Sequence, residues 1–256
     1  MLIKILVVLL SLSFIFSCSS KNKATLKAAN QLTPAEKTLA KAVVSHGGTK
    51  YDNAYYSFTF RKRKYTFQNQ NGNYIYTLKY QKDGQEIFDK MTNNDFTRKV
   101  NGSPVTLTEK QTSSYANSLN SVIYFATLPH KLQDEAVNKA HLGTTTIKGK
   151  NYEVLKIYFD EENGGKDHDD VFHYWINAQT HRIDYLACNY QVNGGGVRFR
   201  SAYNPRTVGG ILFQDYVNYK APVGTPLVDL PKLMEKNQLE KLSLIETEDV
   251  VELSAR

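Results

Sequence analysis

Residues 171–219 read VFHYWINAQTHRIDYLACNYQVNGGGVRFRSAYNPRTVGGILFQDYVNY, and the punctuation of this stretch decides the fold. Asn177-Ala178-Gln179-Thr180 and Asn193-Gly194-Gly195-Gly196 are clusters of turn-forming residues, so the stretch divides into strands over 170–177, 182–192, 196–204 and 209–219. No helix-length segment lies between them. Strands joined by turns alone pair antiparallel, as a meander.

The same reading extends upstream. Strands over 144–149 and 151–160 flank the turn Lys148-Gly149-Lys150, and 161–168 is the next turn. Further back, Tyr56, Phe58 and Phe60 alternate with Ser57 and Thr59, and Tyr74, Tyr76, Leu78 and Tyr80 alternate with Ile75, Thr77 and Lys79, the period of two of a strand with two different faces. The aromatic positions switch from even to odd between Arg61 and Phe67, which requires a bulge or tight bend there. Asn71-Gly72-Asn73 reads as a hairpin turn, and shorter strands are expected at 85–91, 95–100 and 104–107.

Three segments have the other period. Thr33-Pro34-Ala35-Glu36 opens a helix expected over 34–46, with Leu39, Ala42, Val43 and His46 on one face and Gly47-Gly48 as its stop. From Thr108, Tyr115, Leu119, Val122, Ile123 and Ala126 fall at helical spacing until Leu128-Pro129, and Val122-Ile123-Tyr124-Phe125 is apolar all round, as for a helix end buried on every side. A short helix is expected at 229–239 and a last strand at 243–253. With 17 Tyr and 12 Phe among 256 residues, the composition favours β structure. So long a sheet must curl or be covered, and the apolar segment at 108–127 is the natural cover. The expected class is α+β, mainly β: a large curved antiparallel sheet, a half-barrel, covered by short helices, in one domain over 33–256.

The N-terminus has a different character. Lys4 precedes an apolar run from Ile5 to Phe16, too short to span a bilayer and followed by a Lys/Asn/Ser-rich stretch; residues 1–17 read as an export signal. Ile15-Phe16-Ser17-Cys18 resembles the lipobox of bacterial lipoproteins, although Phe16 is bulkier than the residue usual there, which implies lipidation at Cys18 and a tether over 18–32. Of the two cysteines, Cys188 lies in a strand-like run and reads as core. Removing the signal takes one Lys from the formal charge of +7, leaving +6. The basic residues form no tract for nucleic acid, and anionic lipid headgroups are the expected counterpart.

The order of signal, early helix, strands, central apolar helix and long meander resembles the LolA/LolB/LppX superfamily of lipoprotein and lipid carriers. Ser45-His46-Gly47-Gly48, Phe60-Arg61, 171–177, 194–200 and 203–210 are similar to an uncharacterised family of flavobacterial-type lipoproteins, over roughly residues 34–220. The resemblance implies a cavity between sheet and helices that receives acyl chains or another apolar ligand, and it assigns no catalytic residue.

Several groups carry chemistry worth weighing. The acidic loop 160–170 has carboxylates and glycines for a hard cation, but Val171 stands where a calcium loop needs its last acidic ligand, so a solvated hairpin loop is the simpler reading. His168, His173 and His181 with Asp167 or Asp170 are candidates for an acid–base or metal site, or His173 and His181 form an ordinary cross-strand pair. His46 at a helix end reads as a cationic cap. Arg198 and Arg200 share a strand face, with Arg206 nearby; they grip an anionic headgroup or form an exposed edge. Phe58, Phe60, Tyr74, Tyr76, Leu78, Tyr80 and Trp175 are core, or line the concavity around an amphiphilic ligand. Gly194-Gly195-Gly196 is a turn, and no motif for a cofactor or catalytic nucleophile occurs.

The sequence therefore predicts a monomeric, non-enzymatic lipoprotein of the outer membrane, facing the periplasm, that binds an apolar ligand. The ligand-binding residues expected are Phe58, Phe60, Tyr74, Tyr76, Leu78, Tyr80, Trp175, Arg198 and Arg200, with no metal and no cofactor. The rival readings are an exported metal-dependent hydrolase using the His168, His173 and His181 region, and a purely structural envelope lipoprotein.

Overall fold

The computed structural model describes residues 32–134, 136–159, 170–191 and 194–254. Cys18 and the signal lie outside them, as do His168 and most of the acidic loop. The chain divides into Met1–Thr33 and the compact unit Pro34–Arg256, which is the subject below.

Helix α1 spans Pro34–Ser45. Strands β1 (Tyr55–Phe60), β2 (Arg63–Gln70), β3 (Asn73–Lys82), β4 (Gln85–Thr92), β5 (Phe96–Val100) and β6 (Ser103–Pro104) follow, then helix α2 (Glu109–Ala126). Strands β7 (Val137–Ile147), β8 (Lys150–Phe159), β9 (Val171–Asn177), β10 (Ile183–Tyr190), β11 (Gly196–Val208) and β12 (Ile211–Ala221) form the long meander. Helix α3 (Leu230–Glu235) precedes β13 (Glu240–Ile245) and β14 (Glu248–Glu252).

The protein is mainly β and its ladders are antiparallel, as its sequence predicts, but the strands make two seven-stranded sheets. The first has the order β14-β1-β2-β3-β4-β5-β6 and the second β13-β12-β11-β10-β9-β8-β7. The expected last strand breaks at Glu246-Thr247, so that β13 joins the second sheet while β14 joins the first. Buried Asp215 fixes this break: its Oδ1 accepts the Thr247 N–H at 2.9 Å and an Arg206 N–H at 3.1 Å, and its Oδ2 accepts from Asn204 at 2.7 Å.

The even-to-odd switch near residue 61 proves to be a two-residue hairpin. Arg61 and Lys62 take φ of 49° and 61°, the left-handed pair whose twist suits an antiparallel ribbon. Phe58 then lies opposite Tyr65, their rings stacked at 5.4 Å. Strand β11 continues through Pro205, where the sequence predicted its end, because a register shift between Tyr203 and Arg206 spares Pro205 a ladder bond. Strand β7 starts at Val137, well before the expected 144, and a shift between His141 and Thr144 at Gly143 (φ 96°) masks its alternation. Strand β6 is only two residues long, and α3 ends four residues before the expected 239.

Successive strand residues point to opposite faces, and both faces of the second sheet are covered. On one, Leu155, Tyr174 and Leu186 pack with Ala35, Leu39 and Ala42 of α1. On the other, Trp175 and Phe199 pack with Leu230 and Met234 of α3. The first sheet buries Tyr56, Phe67 and Tyr76 against Leu119 and Ile123 of α2. Each such large side chain contributes about 1.5–3 kcal/mol on burial.

Candidate ligand site

Helix α2 is placed by its N-terminal half. Thr108 and Gln111 form a capping box, the Thr108 hydroxyl accepting the Gln111 N–H and the Gln111 side chain accepting the Thr108 N–H. One turn on, Tyr115 lies under the Arg98 guanidinium, 3.4 Å from its ring centroid. Arg98 in turn grips buried Asp89 bidentately, at 2.6 and 2.7 Å. A carboxylate, a guanidinium and a ring thus lock the helix to strands β4 and β5, towards the β6 edge of the first sheet.

The C-terminal half is different. Of Val122-Ile123-Tyr124-Phe125, Ile123 alone is fully buried; the other three are half-buried. They are only partly covered because two cavities flank them. The first, of about 210 Å³, lies between α2, the end of β1 and strands β12–β13, and is lined by Phe60, Val122, Phe125, Arg200, Tyr216 and Ile245 among others. The second, of about 380 Å³, is lined by Tyr74, Tyr76, Tyr124, Phe125, Phe159 and Phe172 among others. Ser121 and Phe125 border both.

The predicted site residues separate accordingly. Phe60 and Arg200 line the first cavity, and Tyr74 and Tyr76 the second. Phe58 and Leu78 are buried in the core of the first sheet. Tyr80 borders a third depression near Arg98 and Tyr115. Trp175 is 1% exposed on the far face of the second sheet, against Phe199, and lines neither cavity beside α2. Alternation along β9 sends Tyr174 inward and therefore Trp175 outward.

The three arginines also part company. Arg206 is held by Asp215 and by the Thr247 hydroxyl and carbonyl. Arg198 donates to the Tyr190 hydroxyl and to the Val197 carbonyl. Arg200 differs: its Nε is enclosed without a hydrogen-bond partner, and its guanidinium sits 4.1 Å over the Phe125 ring. Among the described residues no carboxylate pairs with it, and loss of hydration lowers its pKa.

Asn218 stands opposite Arg200 in the ladder, its Oδ1 also buried and unpartnered. The Tyr216 hydroxyl accepts from Gln214 at 2.8 Å, which leaves its own hydrogen for the cavity. Burial raises the Tyr216 pKa to about 12, so it remains a donor at ordinary pH. Gln214, Tyr216 and Asn218 were open to detection as the cavity-facing set of a period-two strand, but without the bulges nothing said which face of β12 mattered.

The histidines do not take the roles first expected. His46 is 1% exposed and its pKa falls to about 4 through desolvation, so it is a neutral link rather than a cationic cap. Its Nδ1–H donates to the Ala42 carbonyl at 2.8 Å, and its Nε2 faces the Ile183 N–H at 3.5 Å. His173, on the α3 side of β9, is likewise pushed down to about 4 by burial and by Lys156. His181 sits in the turn with φ 57°, where its carbonyl accepts the Ser45 hydroxyl. Lys156 on β8 and Ala187 on β10, not His181, are the cross-strand neighbours of His173. Among the described residues, no three of His, Cys, Asp and Glu converge as a metal set, and no helix is long and apolar enough to cross a membrane.

A protein-family model described as a family of unknown function (DUF6503) matches residues 4–247. The chain belongs to that family. Its likeness to an uncharacterised family thus extends over nearly the whole chain, beyond the 34–220 of the quoted strings. Comparison with curated proteins gave no match. Among solved structures, this DUF6503 chain is similar to a LolA superfamily protein from Nitrosomonas europaea, at 12% identity and a TM-score of 0.49, covering 88% of this chain and 96% of that one. It is also similar to a DUF1329 family protein from Desulfovibrio piger, at 11% identity and TM-score 0.43 with 87% and 96% covered. The lipoprotein LppX of Mycobacterium tuberculosis matches at 11% identity and TM-score 0.30, with 74% and 97% covered. Likeness at this level leaves ligand and function to be read from the chain's own cavities.

Proposed function

We propose that this protein is an exported envelope lipoprotein, anchored through Cys18, that holds an apolar ligand beside α2 and does not catalyse a reaction. The observation that carries the reading is the unfilled apolar end of α2: Val122, Tyr124 and Phe125 are only half-buried, and the spaces around them amount to about 210 and 380 Å³. Small-molecule sites are clefts of about 300 to 1,000 Å³, a range that the larger of the two spaces reaches. Phe60, Ile245 and Phe172 supply an apolar lining, while Tyr74, Tyr76 and Tyr216 bring hydroxyls suited to an amphiphile.

The anchor is supported by the residues before Cys18 and by the polar stretch after it. A lipidated Cys18 would tether the ligand-binding body to a membrane that can supply the ligand. We infer that the location is the periplasmic face of the outer membrane, and that the protein acts as a monomer.

Titration of the full chain carrying Cys18→Ser with the fluorescent apolar probe N-phenyl-1-naphthylamine tests the cavity. Saturable enhancement, lost in Val122→Trp, is the expected result; equal enhancement in both proteins would remove the cavity from the account. Incorporation of radiolabelled palmitate at Cys18, absent in Cys18→Ser, tests the anchor.

A further inference from the structure

We infer that the ligand's polar end is a carboxylate that enters the first cavity and pairs with Arg200, so the ligand is a fatty acid or similar single-chain carboxylate rather than a neutral lipid. This rests on the ligand-binding reading above and narrows it. A guanidinium removed from water ordinarily takes a carboxylate or a full set of acceptors, because a buried unpaired charge is costly. Arg200 has neither. Its Nε is enclosed and unpartnered, and the side-chain contact that supports it is the face of Phe125. The groups that act on it electrostatically are Cys188, Tyr216, Tyr174 and a second cation, Arg198.

Arg198 and Arg206 lie on the same strand and are satisfied by Tyr190 and Asp215, so the missing partner is particular to Arg200. The Tyr216 hydroxyl points the same way: Gln214 occupies its acceptor side, leaving a second donor in the wall that Arg200 occupies. A carboxylate has two oxygens, and a guanidinium fork with a phenol satisfies both. One free guanidinium balances one negative charge. A phosphate monoester, at about −1.5 to −2, would remain in excess. With its head at Arg200 the chain passes Phe60 and Ile245, and a long chain continues beyond Phe125 into the larger cavity.

The test compares palmitate, hexadecanol and inorganic phosphate on the Cys18→Ser full chain by displacement of N-phenyl-1-naphthylamine, in the parent and in Arg200→Met and Arg200→Lys. Palmitate should bind about tenfold or more tightly than hexadecanol, and Arg200→Met should abolish that preference, so that the two ligands bind alike. Arg200→Lys should keep part of the preference, and circular dichroism checks that each variant is folded. Equal binding of palmitate and hexadecanol to the parent overturns the carboxylate inference and leaves the apolar cavity standing. Binding of neither overturns both. Phosphate competing as well as palmitate, through Arg200, would mean a small-anion site instead of an amphiphile site.

Discussion

At the scale of single residues, the polar groups that the fold encloses set its response to pH. His46 is neutral when folded, with a pKa near 4 against 6.5 in the unfolded chain, because burial outweighs its bond to Ala42 and Arg182 opposes the proton that Asp184 would favour. As pH falls below 6.5 the unfolded chain takes up the proton first. The stabilisation present at neutral pH is therefore lost between about 6.5 and 4, on the order of 3 kcal/mol for this one group. His173, lowered by burial and by Lys156, acts in the same direction. Thermal melts should show Tm falling steadily from pH 7 to pH 4. His46→Leu should be less stable at pH 7, since it deletes the links to Ala42 and Ile183, and its Tm should depend less on pH. A parent Tm flat across that range would contradict the assignment of neutral histidines.

At the scale of elements, α2 matters most, because its two halves do different work. The first half is held by the Asp89–Arg98–Tyr115 stack, with Asp89 1% exposed. Removing one partner of a buried ion pair strands the other, so Asp89→Leu should cost about 3–5 kcal/mol in urea unfolding, and adding Arg98→Met should recover part of it. The second half is spare apolar surface. Phe125→Ala should cost stability by truncating a half-buried ring, yet widen the passage between the two cavities and favour longer-chain ligands in the displacement assay. The start of α2 was legible at Thr108 and its end at Pro129, since capping and proline chemistry are local. The four-residue apolar run predicted a fully buried end, and the half-open outcome depends on how far two sheets approach one helix, which no local pattern records. The place of Trp175 was hard to read for a related reason: an aromatic in a strand announces burial but not which of two covered faces receives it. Arg198, Arg200 and Arg206 looked alike in sequence, and only the register of β10 to β12 separates the two that are satisfied from the one that is not.

At the scale of the whole molecule, the fourteen strands among the described residues fall in two sheets, and one strand-length segment near the C-terminus is cut at Glu246-Thr247 so that each sheet takes one piece. Alternation makes 243–253 read as one strand, and the buried Asp215 that holds the cut lies some thirty residues upstream. Asp215→Asn should weaken this joint by about 1–3 kcal/mol and raise amide exchange in β14 ahead of the second sheet. Between the two sheets and α2 lie the half-open cavities that the proposed function requires. Native mass spectrometry of the full chain carrying Cys18→Ser, purified gently from its own cells, examines that space directly. The account predicts an added mass of an acyl-chain compound on the parent and none on Val122→Trp. A parent chain that is always bare, and that takes up no added palmitate or hexadecanol, would contradict it.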